Sequence, residues 1–182
     1  MRSFAIAAAA ATLVSSTYAA PWGSGGLWGR KPDPTKCLTK DAATALAEGF
    51  QGLIVAYTDA NADALLADNL VDFSNSIKSL QGFPVDPFTP VFPTKEAFKQ
   101  GQGAQPSVPL EILAIDAFNC QNVTLRWDAN FGNGNLVAGI THLTASNSQG
   151  KPDTWQISAI YTEFDSLAWF KAIGGTVTPP GQ

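Results

Sequence analysis

Residues 120–128 read CQNVTLRWD and combine a cysteine, a glycosylation sequon and an alternating strand. From Val123 onward apolar and polar side chains alternate, and this period of two predicts a half-buried antiparallel strand. The sequon Asn122-Val123-Thr124 can carry a sugar only in open solvent, so Asn122 and Thr124 are expected on the outer face. Trp127 has the opposite parity and is therefore expected on the inner face.

The start of the 182-residue chain has the pattern of a secretory signal. Arg2 precedes an alanine-rich apolar run that ends in the small residues Ala19 and Ala20, which predicts a signal peptide over residues 1–20. The alternative, a membrane anchor, is disfavoured because the run is too short to span a bilayer. The protein is therefore expected to be secreted and extracellular. After the signal peptide, the sequence predicts a flexible N-terminal arm (21–36), a folded domain (37–173) and a disordered tail (174–182).

The cysteine count and the net charge restrict the classes of function that the chain can have. Cys37 and Cys120 are the two cysteines of the chain, and in an oxidising compartment such a pair is expected to form a disulfide. The alternative, a free nucleophilic thiol, needs a histidine partner and a reducing compartment. A net charge of −4 gives no electrostatic basis for binding nucleic acid or, after signal removal, a membrane.

The remaining sequence predicts helices first and strands later. Thr39 caps a long amphipathic helix that continues to about Tyr57, and Thr94 caps a shorter helix. Between them we expect a short strand over residues 70–77 and a proline-rich segment, 84–93, that is either a stiff loop or a lid. Turn residues then separate strands at 110–118, 123–131, 136–146 and 154–164, and a last helical turn follows at 166–173.

This element order resembles the nuclear transport factor 2-like superfamily, which includes polyketide cyclases, scytalone dehydratase and ketosteroid isomerase. The similarity is greatest to its secreted fungal branch and covers about residues 37–173. The residues that carry it are Cys37, Arg126-Trp127, Gly139-Ile140 and the segment TEFDS at 162–166. The resemblance implies an α+β fold, in which a cone-shaped curved antiparallel sheet packs around a long N-terminal helix and leaves a pocket between them.

Enzymes of this superfamily place His, Asp and Tyr inside the cone, so the resemblance suggests His142, Asp116 and Tyr161 as catalytic candidates. His142 shares its parity with the apolar residues of its strand, although a lone histidine there is more often a core residue. Asp116 is a candidate base if its face is the inner one; the alternative is an edge position in water. Arg126 and Glu163 are expected to form an ion pair at the rim of the sheet.

The expected inner face is apolar and contains few ionisable groups. Its candidate ligand-binding residues are Trp127, Leu125, Ile140, Trp155, Ile157 and, from the proline-rich segment, Phe88. The chain has no phosphate-binding glycine loop, no GxSxG motif and no zinc-ligand spacing, so neither a cofactor nor a metal is expected.

Three functions stay open on this evidence. The favoured one is non-catalytic binding of a small hydrophobic molecule or an extracellular partner. The alternative is a cofactor-free dehydratase, cyclase or isomerase that acts in the same pocket. A third hypothesis, a homodimer that works through its surface, predicts an exposed apolar sheet face.

Overall fold

The computed structural model describes residues 33–132 and 134–178, which form five helices and five strands. The helices are α1 (Lys40–Val55), α2 (Asp59–Leu65), α3 (Asn75–Gln81), α4 (Lys95–Gly103) and α5 (Ser166–Ala172). The strands are β1 (Leu66–Phe73), β2 (Leu110–Phe118), β3 (Asn122–Asn130), β4 (Leu136–Ser146) and β5 (Gln156–Phe164). The predicted signal peptide, residues 1–20, lies outside the described residues, as do most of the predicted arm, 21–36, and residues 179–182 of the predicted tail.

The five strands form one curved open sheet in the order β1-β5-β4-β3-β2. Neighbouring strands from β2 to β5 are antiparallel, whereas β1 pairs in parallel with β5. The predicted α+β fold is therefore confirmed, and the sheet is mixed rather than wholly antiparallel. The parallel pair arises because α3 and α4 lie between β1 and the antiparallel strands and return the chain to the opposite edge of the sheet.

Helix α1 packs its apolar side against β2 and β3. The hydroxyl of Thr39 accepts a hydrogen bond from the backbone N–H of Ala42 at 3.1 Å, so the predicted cap is present. Leu46, Phe50 and Leu53 recur at helical spacing and are buried against the inner face of the sheet. This burial, rather than intrinsic helix propensity, supplies most of the stability of α1.

A disulfide joins Cys37 to Cys120 across 83 positions of sequence, which is the pairing expected from the sequence. The residue after Cys37, Leu38, donates a backbone hydrogen bond to the carbonyl of Cys120 at 3.1 Å. The start of α1 is thereby fixed to the start of β3 by a covalent bond and a hydrogen bond.

The first strand differs from its prediction, because β1 begins at Leu66 and ends at Phe73. Ser74 ends the strand and caps α3, since its hydroxyl accepts a hydrogen bond from the N–H of Ile77 at 3.0 Å. The carboxylate of Glu163 on β5 accepts two further N–H groups, those of Asn75 at 2.7 Å and Ser76 at 2.9 Å. Capping from the chain itself and from a distant strand therefore converts residues 75–77 from the predicted strand into a helix.

The inner face of β4 is the reverse of the predicted one. Val137, Thr141 and Leu143 are buried, whereas Ile140 is 54% exposed and points outward together with His142. The cause is the pairing with β3, which places Gly139 directly opposite the buried Trp127. A side chain at position 139 would occupy the space of the indole ring, so only glycine fits on the inner face there.

The predicted parity of β5 holds only for its first half. Ala145 pairs with Ile157 and Thr144 with Ala159, so one extra residue is inserted in β5 at this point. This bulge shifts the alternation by one residue. Ile160 and Thr162 consequently face inward, while Tyr161 and Glu163 face outward.

None of the helices in the described part of the chain is long and apolar enough to cross a membrane.

Candidate functional site

A cavity of about 260 Å³ lies between the inner face of the sheet and the helices. All the helices except α2, and all the strands except β4, contribute side chains to its wall. Aromatic rings make up much of the lining, namely Phe50, Phe92, Phe98, Trp127, Phe164 and Trp169. The surface of this cavity is mainly apolar.

Hydrogen bonds on the inner face fix two of the lining residues. The indole N–H of Trp127 donates to the hydroxyl of Thr141 at 2.9 Å, and the hydroxyls of Thr141 and Thr162 are also 2.9 Å apart. Trp127 and Thr162 line the cavity, whereas Thr141 supports them from β4. This buried chain satisfies the polar atoms of the three residues and orients the indole against the cavity.

Among the described residues of the cavity wall the charged one is Asp72, which was not predicted from the sequence. It lies on β1, its backbone N–H donates to the carbonyl of Phe92 at 2.9 Å, and its own carbonyl accepts from the N–H of Val91 at 2.8 Å. The side chain is only 3% exposed, and its Oδ1 atom accepts no hydrogen bond from the described residues. The fixed main chain thus holds an unpaired carboxyl group at the cavity.

Burial, and to a smaller extent the negative charge of Glu163, together raise the pKa of Asp72 from 3.8 to about 8. Near neutral pH the carboxyl group is therefore mostly protonated. A group in this state can donate a proton or a hydrogen bond, and it can accept a proton once it has ionised.

The three predicted catalytic residues lie on the outer face and do not meet in the cavity. His142 contacts the hydroxyl of Thr124 at 2.9 Å through Nδ1. Tyr161 is 46% exposed, and its ring is 6.0 Å from that of His142. Asp116 is exposed and binds Arg126 through two hydrogen bonds of 2.7 and 2.9 Å.

The prediction that these side chains share the cavity is wrong for three physical reasons. The pairing of Gly139 with Trp127 reverses the face of β4, the bulge reverses the second half of β5, and irregular pairing along β2 places Asp116 beside Arg126. The predicted ion pair between Arg126 and Glu163 is wrong as well. Arg126 lowers the pKa of Asp116 through their hydrogen bonds, as expected for an exposed ion pair.

Of the predicted ligand-binding residues, Trp127 lines the cavity. Leu125, Ile157 and Trp155 are buried on the inner side but belong to the packed core instead of the cavity wall. Ile140 lies on the outer face because of the reversed β4. Phe88 is 86% exposed in the proline-rich segment and does not contribute to the lining.

No group of three or more His, Cys, Asp or Glu side chains in the described ranges is arranged to hold a metal ion. The functional groups that the described residues present to the cavity are one carboxyl group, three side-chain amides, one hydroxyl group and the faces of the aromatic rings.

Comparisons with known proteins agree with this architecture. The structure is similar to IdmH from Streptomyces antibioticus, described as a candidate polyketide cyclase, with 13% identity, a TM-score of 0.52, and coverage of 72% of this chain and 98% of that chain. A loop-truncation variant of IdmH gives 15% identity, the same TM-score and coverage of 72% and 99%. An NTF2-like protein of unknown function from Methylobacillus flagellatus matches at 13% identity and a TM-score of 0.44, over 70% and 95% of the two chains.

At such low identities the two IdmH structures show the fold alone. No curated protein matches the sequence significantly. The model of the NTF2-like domain, however, matches residues 36–176, which is most of the chain. The matched region contains the whole sheet, the five helices and the cavity between them, and the chain accordingly belongs to the NTF2-like domain family.

Proposed function

We propose that this protein is a secreted domain that binds a small hydrophobic molecule in the cavity. The observation that carries the proposal is the lining itself, in which the described residues are six aromatic and seven aliphatic side chains, four neutral polar ones and the carboxyl group of Asp72. An apolar molecule that enters this half-open space loses part of its contact with water, and each Å² of apolar surface removed from water contributes about 25 cal/mol.

The volume of the cavity limits the size of the ligand. An apolar cavity of about 150 Å³ is large enough to hold benzene. At about 260 Å³ the cavity described above has space for a single substituted ring or a short branched chain. A polycyclic molecule would exceed this volume, so that part of it would extend through the open side into solvent.

The extracellular part of the proposal is supported by the sequence and by the outer face. Residues 1–20 have the pattern of a secretory signal, and a disulfide joins Cys37 to Cys120. Asn122 lies at the start of β3 on the side of the sheet away from the cavity, where an N-linked glycan would not block a ligand. We propose that the protein is exported by a fungal cell and glycosylated at Asn122; a loss of mass in the secreted Asn122→Gln variant would test the sugar.

Thermal unfolding with a panel of alkylbenzenes, monoterpenes and small aromatic alcohols tests the binding. A ligand at about 100 times its Kd stabilises the folded state by roughly 2.7 kcal/mol, which raises the melting temperature. Leu80→Trp places a larger side chain in the cavity wall and should abolish this rise. Leu113→Trp makes the same change at an exposed position and should preserve it. An absence of stabilisation by every compound, or equal effects of the two variants, contradicts the proposal.

A second candidate function, cofactor-free proton transfer in a dehydratase, cyclase or isomerase, is favoured by Asp72. A carboxyl group with a pKa of about 8 in an apolar cavity is a stronger base than an exposed aspartate. Nitrobenzisoxazole, whose ring opens when a base removes its carbon-bound proton, is a suitable neutral probe. The rate should rise with pH to a plateau above about pH 8, disappear in Asp72→Asn and persist in His142→Gln. A rate that is unchanged in Asp72→Asn excludes this candidate.

A further inference from the structure

We infer that the preferred ligand of the cavity is a hydrophobic amine, bound as its ammonium ion between the Asp72 carboxylate and the aromatic rings of the wall. This inference rests on the proposed ligand-binding function and specifies the chemical class of the ligand. The carboxylate would accept N–H hydrogen bonds from the ammonium group, while the hydrocarbon part of the amine would occupy the apolar remainder of the cavity.

The charges around the cavity favour a cation. Among the described residues that line it, Asp72 is the one charged side chain, and none is basic. Lys78 on α3 is buried, but its Nζ atom donates to the side chain of Asp86 at 3.1 Å and to the Asp86 carbonyl at 3.2 Å. Glu163 adds a second negative charge whose field reaches Asp72. An anionic ligand would therefore be repelled, whereas an ammonium ion would be attracted.

The unpaired oxygen of Asp72 defines the polar requirement of the ligand. A buried carboxylate without a hydrogen-bond partner is costly, and a bound molecule can supply the donor that Oδ1 does not receive from the described residues. An alcohol offers one neutral O–H group. A primary ammonium group offers three N–H donors together with the opposite charge, and charge-assisted hydrogen bonds are about twice as strong as neutral ones.

The aromatic rings provide a second means of recognising a cation. The rings of Phe92 and Phe98 meet edge to face with centroids 5.9 Å apart. Phe164 lies between Trp127 and Trp169, with centroid distances of 6.0 and 4.9 Å. The negative faces of such rings attract ammonium groups, most strongly where water is excluded. The same rings bind the hydrocarbon part of the ligand by burial of apolar surface.

The amine and Asp72 are coupled through protons, which gives a distinctive pH dependence. The ammonium complex requires the ionised carboxylate, so below its pKa of about 8 Asp72 must release a proton when the amine binds. For an amine that is itself charged over this range, the affinity should rise roughly fifty-fold from about pH 6 to about pH 8 and then level off. Glu163 faces outward on β5, but the field of its charge reaches Asp72. The other described residues that line the cavity, from the helices, β2, β3, β5 and the loops, do not titrate.

Calorimetric titration with four probes of similar size tests the inference. The probes are phenethylamine, phenethyl alcohol, hydrocinnamate and benzyl methyl ketone, titrated into the oxidised full-length domain over the pH range above. We expect the amine to bind at least about tenfold more tightly than the alcohol at alkaline pH, because only the amine pairs with the charge. Hydrocinnamate should bind weakly or not at all.

Asp72→Asn and Asp116→Asn form a matched pair of variants, since the second makes the same change on the outer face. Asp72→Asn should lose the preference for the amine and its pH dependence while still binding the alcohol, which shows that the cavity remains folded. Asp116→Asn should behave as the wild type. Equal binding of amine and alcohol by the wild type, or a preference for the ketone that weakens as pH rises, overturns the amine inference and leaves the ligand-binding function intact. Binding of none of the neutral or cationic probes overturns both.

Discussion

Replacement of Asp72 by asparagine should stabilise the protein, and increasingly so as the pH rises. The side chain is almost fully buried, and its Oδ1 atom has no hydrogen-bond partner in the described residues. Ionisation of this buried carboxyl group is less favourable than ionisation of the same group in the unfolded chain, where water surrounds it. Asparagine has nearly the same shape but cannot ionise, so the variant removes the charge and leaves the packing intact.

The sign and size of the effect follow from the two pKa values. Between 3.8 and about 8 the folded carboxyl group keeps a proton that the unfolded one has lost. The folded state thus binds more protons, and the free energy of unfolding falls as pH rises, by about 1.4 kcal/mol per pH unit. Across this range the wild type should lose roughly 4–6 kcal/mol relative to Asp72→Asn, with no further change above about pH 8.

Urea unfolding of both proteins at a series of pH values, with the disulfide intact, measures this difference. The amide of asparagine also lacks a partner, but that cost is independent of pH and does not alter the slope. Asp116→Asn is the control, and it should lower the free energy of unfolding instead of raising it, because Arg126 lowers the pKa of Asp116. Its loss of stability should be small, since the pair is exposed and screened by solvent. Parallel pH profiles for the wild type and Asp72→Asn would show that the Asp72 carboxyl is hydrated or paired, and the reasoning would fail.

Three further changes test the surroundings of the cavity. Serine at both Cys37 and Cys120 should lower the free energy of unfolding by about 3–5 kcal/mol in denaturant titrations, because the unfolded chain gains the freedom of a long loop. Gly139→Ala should cost about 1–3 kcal/mol and weaken ligand binding in calorimetry, because the new methyl group displaces the Trp127 ring. Glu163→Gln should lower the pKa of Asp72, because the charge of Glu163 is one of the two causes that raise this pKa. Unfolding measured over a range of pH should then show that the loss of stability with rising pH ends at a lower pH.

The fold could be predicted from sequence largely because β3 has an unambiguous pattern. Its buried residues Val123, Leu125 and Trp127 alternate with polar ones, and the sequon independently indicates the outer face. Caps at Thr39 and Thr94 also lie where the sequence indicated them, since each hydroxyl accepts a hydrogen bond from an N–H three residues later. These features are local, so they need no knowledge of the partner strands.

The candidate site was less predictable, because contacts between strands decide which of its side chains face the cavity. Both faces of β4 contain apolar residues, and the face with the larger ones, including Ile140, is exposed. The inner face contains Gly139 because the indole of Trp127 occupies the space opposite it. A large residue in one strand and a glycine in the next can be matched only when the register is known. The bulge that turns Tyr161 outward is equally invisible without the register.

Asp72 was missed although the sequence contained a usable signal. Leu70, Asp72 and Ser74 have one parity, and all three are buried. The neighbouring Val71 and Phe73 are apolar as well, so the alternation along this strand does not by itself indicate which face is buried. Phe73 instead stacks on the outer face against Tyr161, with the ring centroids 5.0 Å apart. Apolar packing on both faces of an edge strand thus conceals which face is the inner one.

The position of Asp72 in the sheet explains how an unpaired carboxyl group stays buried. β1 is the edge strand of the sheet, and an edge that frayed would let water reach the side chain and return its pKa toward 3.8. One side of the strand pairs with β5, where Asp72 is the partner of Ile160. On the other side its backbone N–H and carbonyl are bound by residues 91–92, which close the edge at this one point. Because the main chain is held from both sides, the carboxyl group cannot move out to water, and its remaining routes to lower free energy are protonation or a bound ligand. Both candidate functions use that constraint, since each requires a carboxyl group whose best partner is the molecule in the cavity.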